Sequence, residues 1–133
     1  MMKGYTTLEQ SKKLVELGLD PFTADMLYYT LTPDIPVCQK PFIFKGQDME
    51  IPCWSLTALI SLMPNKLENL STPNTSVWLE IGNRIVEYRR QSNIDQSTIN
   101  NDEIPSFRGV DLITNAFDMV CWLIEENYIK KGE

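Results

Sequence analysis

The chain has no histidine among its 133 residues. Without histidine there is no Ser-His-Asp or Cys-His catalysis, no side chain that ordinarily titrates near physiological pH, and almost none of the usual catalytic zinc sites. Glycine-rich phosphate loops and the HExxH and GxSxG motifs are absent as well. We therefore predict that the protein is not an enzyme, and that it has no catalytic residues, no metal, no cofactor and no small-molecule ligand.

Cysteine is scarce, and long apolar runs are missing. The three cysteines form no CxxC pair and are odd in number, which argues against a disulfide framework. No run approaches the roughly 20 apolar residues that a membrane-spanning helix needs. The first residues also lack the apolar core of a signal peptide. These absences predict a cytoplasmic protein that does not bind membranes.

Basic residues are outnumbered. Twelve lysines and arginines stand against 18 aspartates and glutamates, which gives a net charge of −6. This charge opposes binding to a phosphate backbone, so we expect no nucleic-acid partner. The clearest basic cluster, Arg84, Arg89 and Arg90, has Glu87 in its midst, and this mixture is typical of a solvated strand face.

The chain does contain enough apolar residues for one globular domain over 1–133, at 43% hydrophobic and 23% charged. Four segments carry helix signals, each with a capping residue at its start and an apolar stripe along its length. The segments run from Thr6 or Thr7 to Gly18, from Asp20 to the prolines at 33 and 36, from Ser55 to Met63, and from Asp111 to Asn127.

The clearest strand signal is a hairpin around Gly82–Asn83. Residues 76–81 and 84–89 alternate in polarity on either side of this two-residue turn. Pairing Ile81 with Arg84 sets the register and separates a core face from an outer face. The predicted core face consists of Val77, Leu79, Val86 and Tyr88.

Two stretches lack a firm pattern. Residues 33–52 hold four of the eight prolines and are predicted to be largely extended or looped, with a short hairpin between 42–45 and 49–51. Residues 91–106 are polar and predict a mobile loop, and Ser106–Arg108 can add a third strand. The predicted fold is therefore α+β, with three to four helices packed on a small antiparallel β-hairpin or three-stranded sheet, and with the last helix central.

Two tryptophans point away from the predicted core. Trp122 projects among carboxylates on the polar side of the last helix, and Trp78 shares the outer face of the hairpin with Ile85. Tryptophan is enriched at interface hot spots, so Trp78, Ile85 and Trp122 are the predicted partner-binding residues. The alternative is that another element of the chain covers them, or that the two tryptophans cover each other.

Two other functions stay open. Cys53 precedes the third predicted helix and, like the carboxylates, is a candidate for an unusual small enzyme. Its apolar neighbours favour a buried structural cysteine instead. For a nucleic-acid-binding accessory protein, the candidate site is Trp78 next to Arg89. Glu80 and Glu87 on the same strands oppose that site.

Three segments carry a resemblance to a known family. They are 7–14 (TLEQSKKL) followed by Asp25–Met26, 51–56 (IPCWSL) followed by Leu59 and Met63–Pro64, and 116–125 (AFDMVCWLIE). In these segments the chain resembles a family of small uncharacterised proteins from Bacteroides-type gut bacteria and their phages and prophages. The resemblance spans both ends and the centre, whereas residues 67–110 look divergent. It implies a phage-associated accessory role in the cytoplasm and brings no catalytic residues.

The functional prediction is a non-catalytic, phage- or prophage-associated accessory protein. It acts by protein–protein interaction or by self-association, with a protein partner or a second copy of itself. Misplaced aromatic residues, together with the missing catalytic chemistry, motivate this hypothesis.

Overall fold

The computed structural model describes residues 4–29, 32–38, 50–99, 104–109 and 111–129. This part of the chain contains three α-helices and seven strands, and the strands form two antiparallel sheets. The helices are α1 (Leu8–Glu16), α2 (Leu56–Leu62) and α3 (Leu112–Glu125). The strands are β1 (Met26–Tyr29), β2 (Thr32–Val37), β3 (Glu50–Cys53), β4 (Thr75–Gly82), β5 (Ile85–Ser92), β6 (Thr98–Ile99) and β7 (Ser106–Arg108).

The strand content corrects the predicted fold. The α+β class holds, but a single hairpin or three-stranded sheet is wrong, because one sheet has the order β2-β1-β3 and a second contains β4, β5, β6 and β7. The described residues contain three α-helices, which agrees with the predicted three to four. The extra sheet comes from two segments whose sequence pattern predicted a helix and a proline-rich loop.

The segment after Asp20 was predicted as a helix and is mostly strand. Asp20 does cap a helical start, since its carboxylate accepts a hydrogen bond from the Phe22 backbone N–H, but this helix is a single 3-10 turn over Pro21–Thr23. The chain then becomes extended, and β1 takes the centre of the first sheet with Met26, Leu27 and Tyr28 buried. A short, wholly buried apolar run fits a helix or a central strand equally well, and its tyrosines favour the strand.

The proline-rich stretch supplies the two outer strands of this sheet. Pro33 and Pro36 lie in β2 and Pro52 lies in β3. Proline lacks a backbone donor and is tolerated mainly on edge strands, which agrees with these positions. The predicted 42–51 hairpin falls largely outside the described residues. Its last residues, Glu50 and Ile51, belong to β3 and pair with β1.

The predicted ends of the three helices that form are confirmed in detail. Thr7 and Gln10 form a capping box at the start of α1, and Gly18 ends that helix with a φ of 95° while Leu19 N–H donates to the Leu14 carbonyl. Ser55 caps α2, and Asp111 caps α3. After α3 the chain turns at 127 with a φ of 65°, and the Tyr128 N–H donates to the Leu123 carbonyl. These caps satisfy backbone groups that a helix end otherwise leaves without partners.

The β4–β5 hairpin forms with its turn one residue later than predicted. Gly82 pairs with Ile85, so the turn residues are Asn83 and Arg84, and Arg84 takes a φ of 61°. The buried Asn115 side chain of α3 donates to the Arg84 carbonyl at 3.0 Å, which holds the turn in this place. The shift moves each cross-strand partner by two residues. Each side chain therefore keeps its face, because side chains alternate with a period of two.

Residues 91–106, predicted as a loop, contain strand at both ends. They hold the last two residues of β5, the short strand β6 and the first residue of β7. Both β6 and β7 pair with the same edge of β5. Their residues are mostly exposed, so the hydrophobic pattern that marks a buried strand is missing here.

One large apolar cluster joins the second sheet to the helices, and a smaller one lies under the first sheet. The α3 helix contributes seven of its residues as buried side chains and packs on α2, β5 and β7, which confirms its central place. Within the described ranges, no helix is both long and apolar enough to cross a membrane.

Candidate interaction surface

The outer face of the second sheet is formed by alternate residues of β4 and β5. On β4, Val77 points into the core and is fully buried, whereas Trp78 points outward with 43% of its surface exposed. On β5, the buried Val86 and Tyr88 face the core and alternate with Glu87 and Arg89 on the outer face, where Glu87 is itself only 8% exposed. The predicted division into core and outer faces is therefore confirmed, and Trp78 lies on the solvent side. Directly opposite it is Arg89, instead of the predicted Glu87.

Charged side chains beside Trp78 form a connected row. Glu80 and Glu87 are direct cross-strand neighbours, an arrangement that is unfavourable for two carboxylates. Arg89 lies between them, with Nη1 3.1 Å from Glu80 and Nε 4.0 Å from Glu87. Arg108 of β7 extends the row, with Nη2 3.6 Å from the other oxygen of Glu87. The signs therefore alternate across three strands.

A segment before β4 covers the strand edge on the other side of Trp78. The Leu67 N–H donates to the Val77 carbonyl, and the Leu79 N–H donates to the Asn65 carbonyl, each at 2.9 Å. These bonds place Lys66 with its Nζ 5.3 Å from the centre of the Trp78 ring, and the same ammonium lies 3.8 Å from Glu68. Trp78 is thus flanked by a cation on each side, and each cation is paired with a carboxylate.

We call this surface the Trp78 face and define it by seven residues. They are Trp78, Lys66, Glu68, Glu80, Glu87, Arg89 and Arg108. A shallow depression of about 280 Å³ runs along it, lined by Trp78, Leu79, Glu80, Arg89, Gln91 and Thr98. The depression is open to solvent and mostly polar, unlike the enclosed apolar pockets that bind small molecules. This shape fits a broad macromolecular contact.

Ile85, a predicted partner-binding residue, lies on the same outer face but apart from Trp78. It is half-buried and pairs with Gly82 on one side and Arg108 on the other. The Trp78–Arg89 pair and the Gly82–Ile85 pair lie four positions apart along the hairpin, which is about 13 Å of strand. The structure therefore brings Ile85 to the margin of the Trp78 face, with the charged row between them.

Trp122, the other predicted partner-binding residue, is on a different surface. It is half-buried at the edge of the main core and stacks on Tyr128, with ring centroids 5.6 Å apart and an interplanar angle of 26°. The turn at Asn127 returns Tyr128 to this position. A residue of the same chain thus covers part of Trp122, and the two predicted tryptophans do not form one site.

Cys53, the candidate nucleophile, is sealed inside the first sheet. Its side chain is fully buried, and its thiol donates to the Thr6 carbonyl at 3.4 Å. The Tyr28 hydroxyl donates to the same carbonyl, and the Thr6 hydroxyl lies 2.8 Å from that of Ser11. Burial raises the pKa of the Cys53 thiol, so the protonated, unreactive form is favoured. This arrangement is a satisfied buried polar cluster without access for a substrate.

The carboxylates do not converge either. Within the described ranges, no three histidine, cysteine or acidic side chains come close enough together to hold a metal ion. On α3, burial raises the pKa of Asp118 and raises that of the nearby Cys121 to about 12, which leaves a neutral thiol at physiological pH. These shifts follow from desolvation and require no catalytic role.

No protein-family model, curated protein or solved structure matches this chain.

Sequence reasoning found Trp78 and the charges of the hairpin but missed Lys66, Glu68 and Arg108. Arg108 lies in β7, which follows a polar connection in the chain and pairs with β5. Lys66 and Glu68 precede β4 in a segment whose sequence carries no secondary-structure signal. Only the strand pairing brings the three residues to Trp78. A hint was available in the alternation of Ser106, Phe107 and Arg108, which places Arg108 on the outer side when Phe107 faces the core.

Proposed function

We propose that this protein is a non-catalytic interaction protein that binds another protein chain through the Trp78 face. The observation that carries the proposal is the 43% exposure of Trp78 within an ordered, charge-paired sheet face. Tryptophan and arginine are the residues most enriched at binding hot spots, and Trp78 lies directly across from Arg89. A large apolar ring that remains in water adds little to the fold and is available to a partner.

The alternatives find less support on this face and elsewhere. An enzyme based on Cys53 lacks access to the thiol. A nucleic-acid site needs an excess of cations, whereas the described residues of the Trp78 face pair each cation with a carboxylate. A phage-associated role in the cytoplasm remains part of the proposal. It is supported by the family resemblance and by the presence of all three cysteines as free thiols.

Site-specific photo-cross-linking tests the proposal. A photoreactive phenylalanine analogue replaces Trp78 in one variant and Phe22, which is 59% exposed outside the face, in a control variant. We expect cross-links to a defined protein from position 78 and background labelling from position 22. The cross-linked protein, once purified, should bind Trp78→Ser about 30-fold or more weakly than wild type, as for a hot-spot residue, and should bind Phe22→Ser normally. Equal binding by both variants would contradict the proposal.

A further inference from the structure

We infer that the partner of the Trp78 face is a second copy of this chain, so that two such faces pack against each other about a twofold axis. This inference rests on the proposed function and specifies its partner. Three features of the face carry it: its balanced charge, the alternation of its signs, and the single aromatic anchor.

The Trp78 face is balanced in charge, although the chain as a whole is acidic. Among the described residues, the ion pairs of the face join three cations to three carboxylates. The cations are Lys66, Arg89 and Arg108, and the carboxylates are Glu68, Glu80 and Glu87. The whole chain has a net charge of −6. Two copies that meet at the Trp78 face therefore bring no net charge together, whereas the remainder of the chain carries the whole negative charge.

The order of the charges makes the face complementary to itself. In a twofold interface, the same patch must match itself, residue for residue. A patch of one sign cannot do so, because it meets its own charge. The row Glu80, Arg89, Glu87, Arg108 alternates in sign, so a twofold axis at its middle sets Glu80 against Arg108 and Arg89 over Glu87. The Glu80–Arg108 contact is the more exposed of the two, because the Glu87 side chain is only 10% exposed. A strongly basic or acidic partner would gain no comparable match.

A twofold interface contains two copies of the Trp78 ring. Each copy contributes one Trp78, already held between Lys66 and Arg89. Burial of both rings in one contact removes from water the largest apolar side chain that the face exposes. A single substitution at Trp78 removes both anchors, so its effect on association exceeds that of the same change in a heterologous complex.

Sedimentation equilibrium on the full chain provides the first test. We expect wild type to associate reversibly to a dimer as its concentration is raised toward about 1 mM, the weak end of specific association. Trp78→Ser should weaken the dimer about 30-fold or more, whereas Phe22→Ser, at a more exposed apolar position outside the face, should leave it unchanged.

Charge complementation provides the sharper test. Glu80→Lys gives the face an excess of positive charge, and Arg108→Glu, at the position that meets Glu80 across the axis, gives it an excess of negative charge. Each variant alone should self-associate about tenfold or more weakly than wild type, because like charges then face each other across the axis, and a mixture of the two should form the mixed dimer. Lys12→Glu, on the exposed side of α1, changes the net charge as much as Arg108→Glu does and should leave dimerisation near wild type. Circular dichroism confirms that each variant is folded.

The outcomes separate this inference from the proposed function. A wild-type chain that stays monomeric throughout the concentration range overturns the second copy as partner. A dimer that ignores Trp78→Ser and both charge variants places self-association on another surface and overturns it as well. In either case, cross-links from position 78 to a different protein would preserve the proposed function, whereas their absence would end both.

Discussion

Trp54 and Trp78 differ in how far they are exposed to solvent. Trp54 is fully buried, and its Nε1 donates to the Thr23 hydroxyl at 2.9 Å. Trp78 is 43% exposed, and the Lys66 ammonium lies 5.3 Å from the centre of its ring. The first therefore belongs to the energetics of folding. The second contributes one cation–π contact, which at an exposed site is worth about 0.5–1 kcal/mol.

The two tryptophans should respond differently to substitution. We expect Trp54→Phe to lower the free energy of unfolding by roughly 2 kcal/mol, because it removes a buried hydrogen bond and leaves a cavity. Trp78→Thr should lower it by less than about 1 kcal/mol. Urea unfolding at a protein concentration low enough to exclude association measures both values. A loss at Trp78 as large as that at Trp54 would show that Trp78 serves the fold.

The three cysteines should differ in reactivity. Cys38 is exposed, Cys121 is half-buried and Cys53 is fully buried. Burial also raises the pKa of Cys53, and that of Cys121 to about 12. We expect iodoacetamide at neutral pH to label Cys38 rapidly, Cys121 slowly and Cys53 only after unfolding in urea, because the reactive species is the exposed thiolate. Mass spectrometry of peptides over time measures the order. Rapid labelling of native Cys53 would revive the enzyme hypothesis.

At the scale of elements, the contact between α3 and the β4–β5 turn positions the Trp78 face. The Asn115 amide reaches the Arg84 carbonyl from a site that is 3% exposed, and Arg84 holds a backbone conformation that L-residues rarely adopt. The hydrogen bond thus stabilises a turn that its own sequence favours poorly. This turn sets the strand register that places Arg89 opposite Trp78.

Removing this contact should loosen the hairpin end. We expect Asn115→Ala to lower the free energy of unfolding by about 1–3 kcal/mol, since the Arg84 carbonyl loses its partner. Thr114→Ala is the matched control on the adjacent, partly exposed position of α3 and should cost less. Hydrogen exchange should show faster exchange at Ile85 and Val86 in the Asn115 variant. Unchanged exchange at these residues would contradict the assigned role.

Local signals in the sequence predicted elements well where the cause of the structure is local. The caps of Thr7, Ser55 and Asp111 lie within three residues of the groups they satisfy, and all three were predicted. The hairpin and its two faces follow from an alternation within one segment. The first sheet could not be predicted, because β1 pairs with β3 across more than twenty residues and its apolar run has no strand periodicity.

The candidate site was predictable only in part for the same reason. Trp78 could be placed outside the core from its neighbours in β4. Its cation partner Lys66 depends on a bridge between chain segments, and the carboxylate of Glu87 meets Arg108 only through the pairing of β7. Trp122 was predicted to project among carboxylates, yet it stacks on a tyrosine that returns after the helix end. Tertiary contacts of this kind leave no trace in local periodicity.

Across the molecule, buried tyrosine and cysteine side chains make the free energy of unfolding fall at alkaline pH. Burial raises the pKa of the Tyr28 and Tyr88 hydroxyls and of the Cys53 and Cys121 thiols. The unfolded chain releases these protons at their ordinary pKa values, near 8.5 for cysteine and 10 for tyrosine, while the folded chain retains them. Because the unfolded state then binds fewer protons, stability falls as pH rises through this range.

We therefore expect the midpoint of urea unfolding to decrease steadily between about pH 8 and pH 11, after a plateau near neutrality. The double variant Cys121→Ala, Tyr88→Phe should have a midpoint at neutral pH no higher than that of wild type. Its midpoint should decrease less steeply with pH, because two of the four titrating groups have been removed. Urea titrations at a series of pH values measure the slopes. A flat profile for wild type would mean that these groups titrate alike in both states.

The order in which the chain folds depends on how far apart its paired segments lie. Residues 4–6 pair with residues 54–56, where the Thr6 N–H donates to the Trp54 carbonyl and the Leu56 N–H donates to the Gly4 carbonyl. The hydrogen bond from the Trp54 N–H to the Thr6 hydroxyl joins residues 48 positions apart, whereas the partners in β4 and β5 lie at most 17 apart. Closing a long loop costs more chain entropy and slows contact formation. The hairpin that carries Trp78 should therefore acquire protection early in a refolding experiment, and the segment around Cys53 late. A chain that refolds from denaturant would then form the hairpin that carries Trp78 before its first sheet is closed.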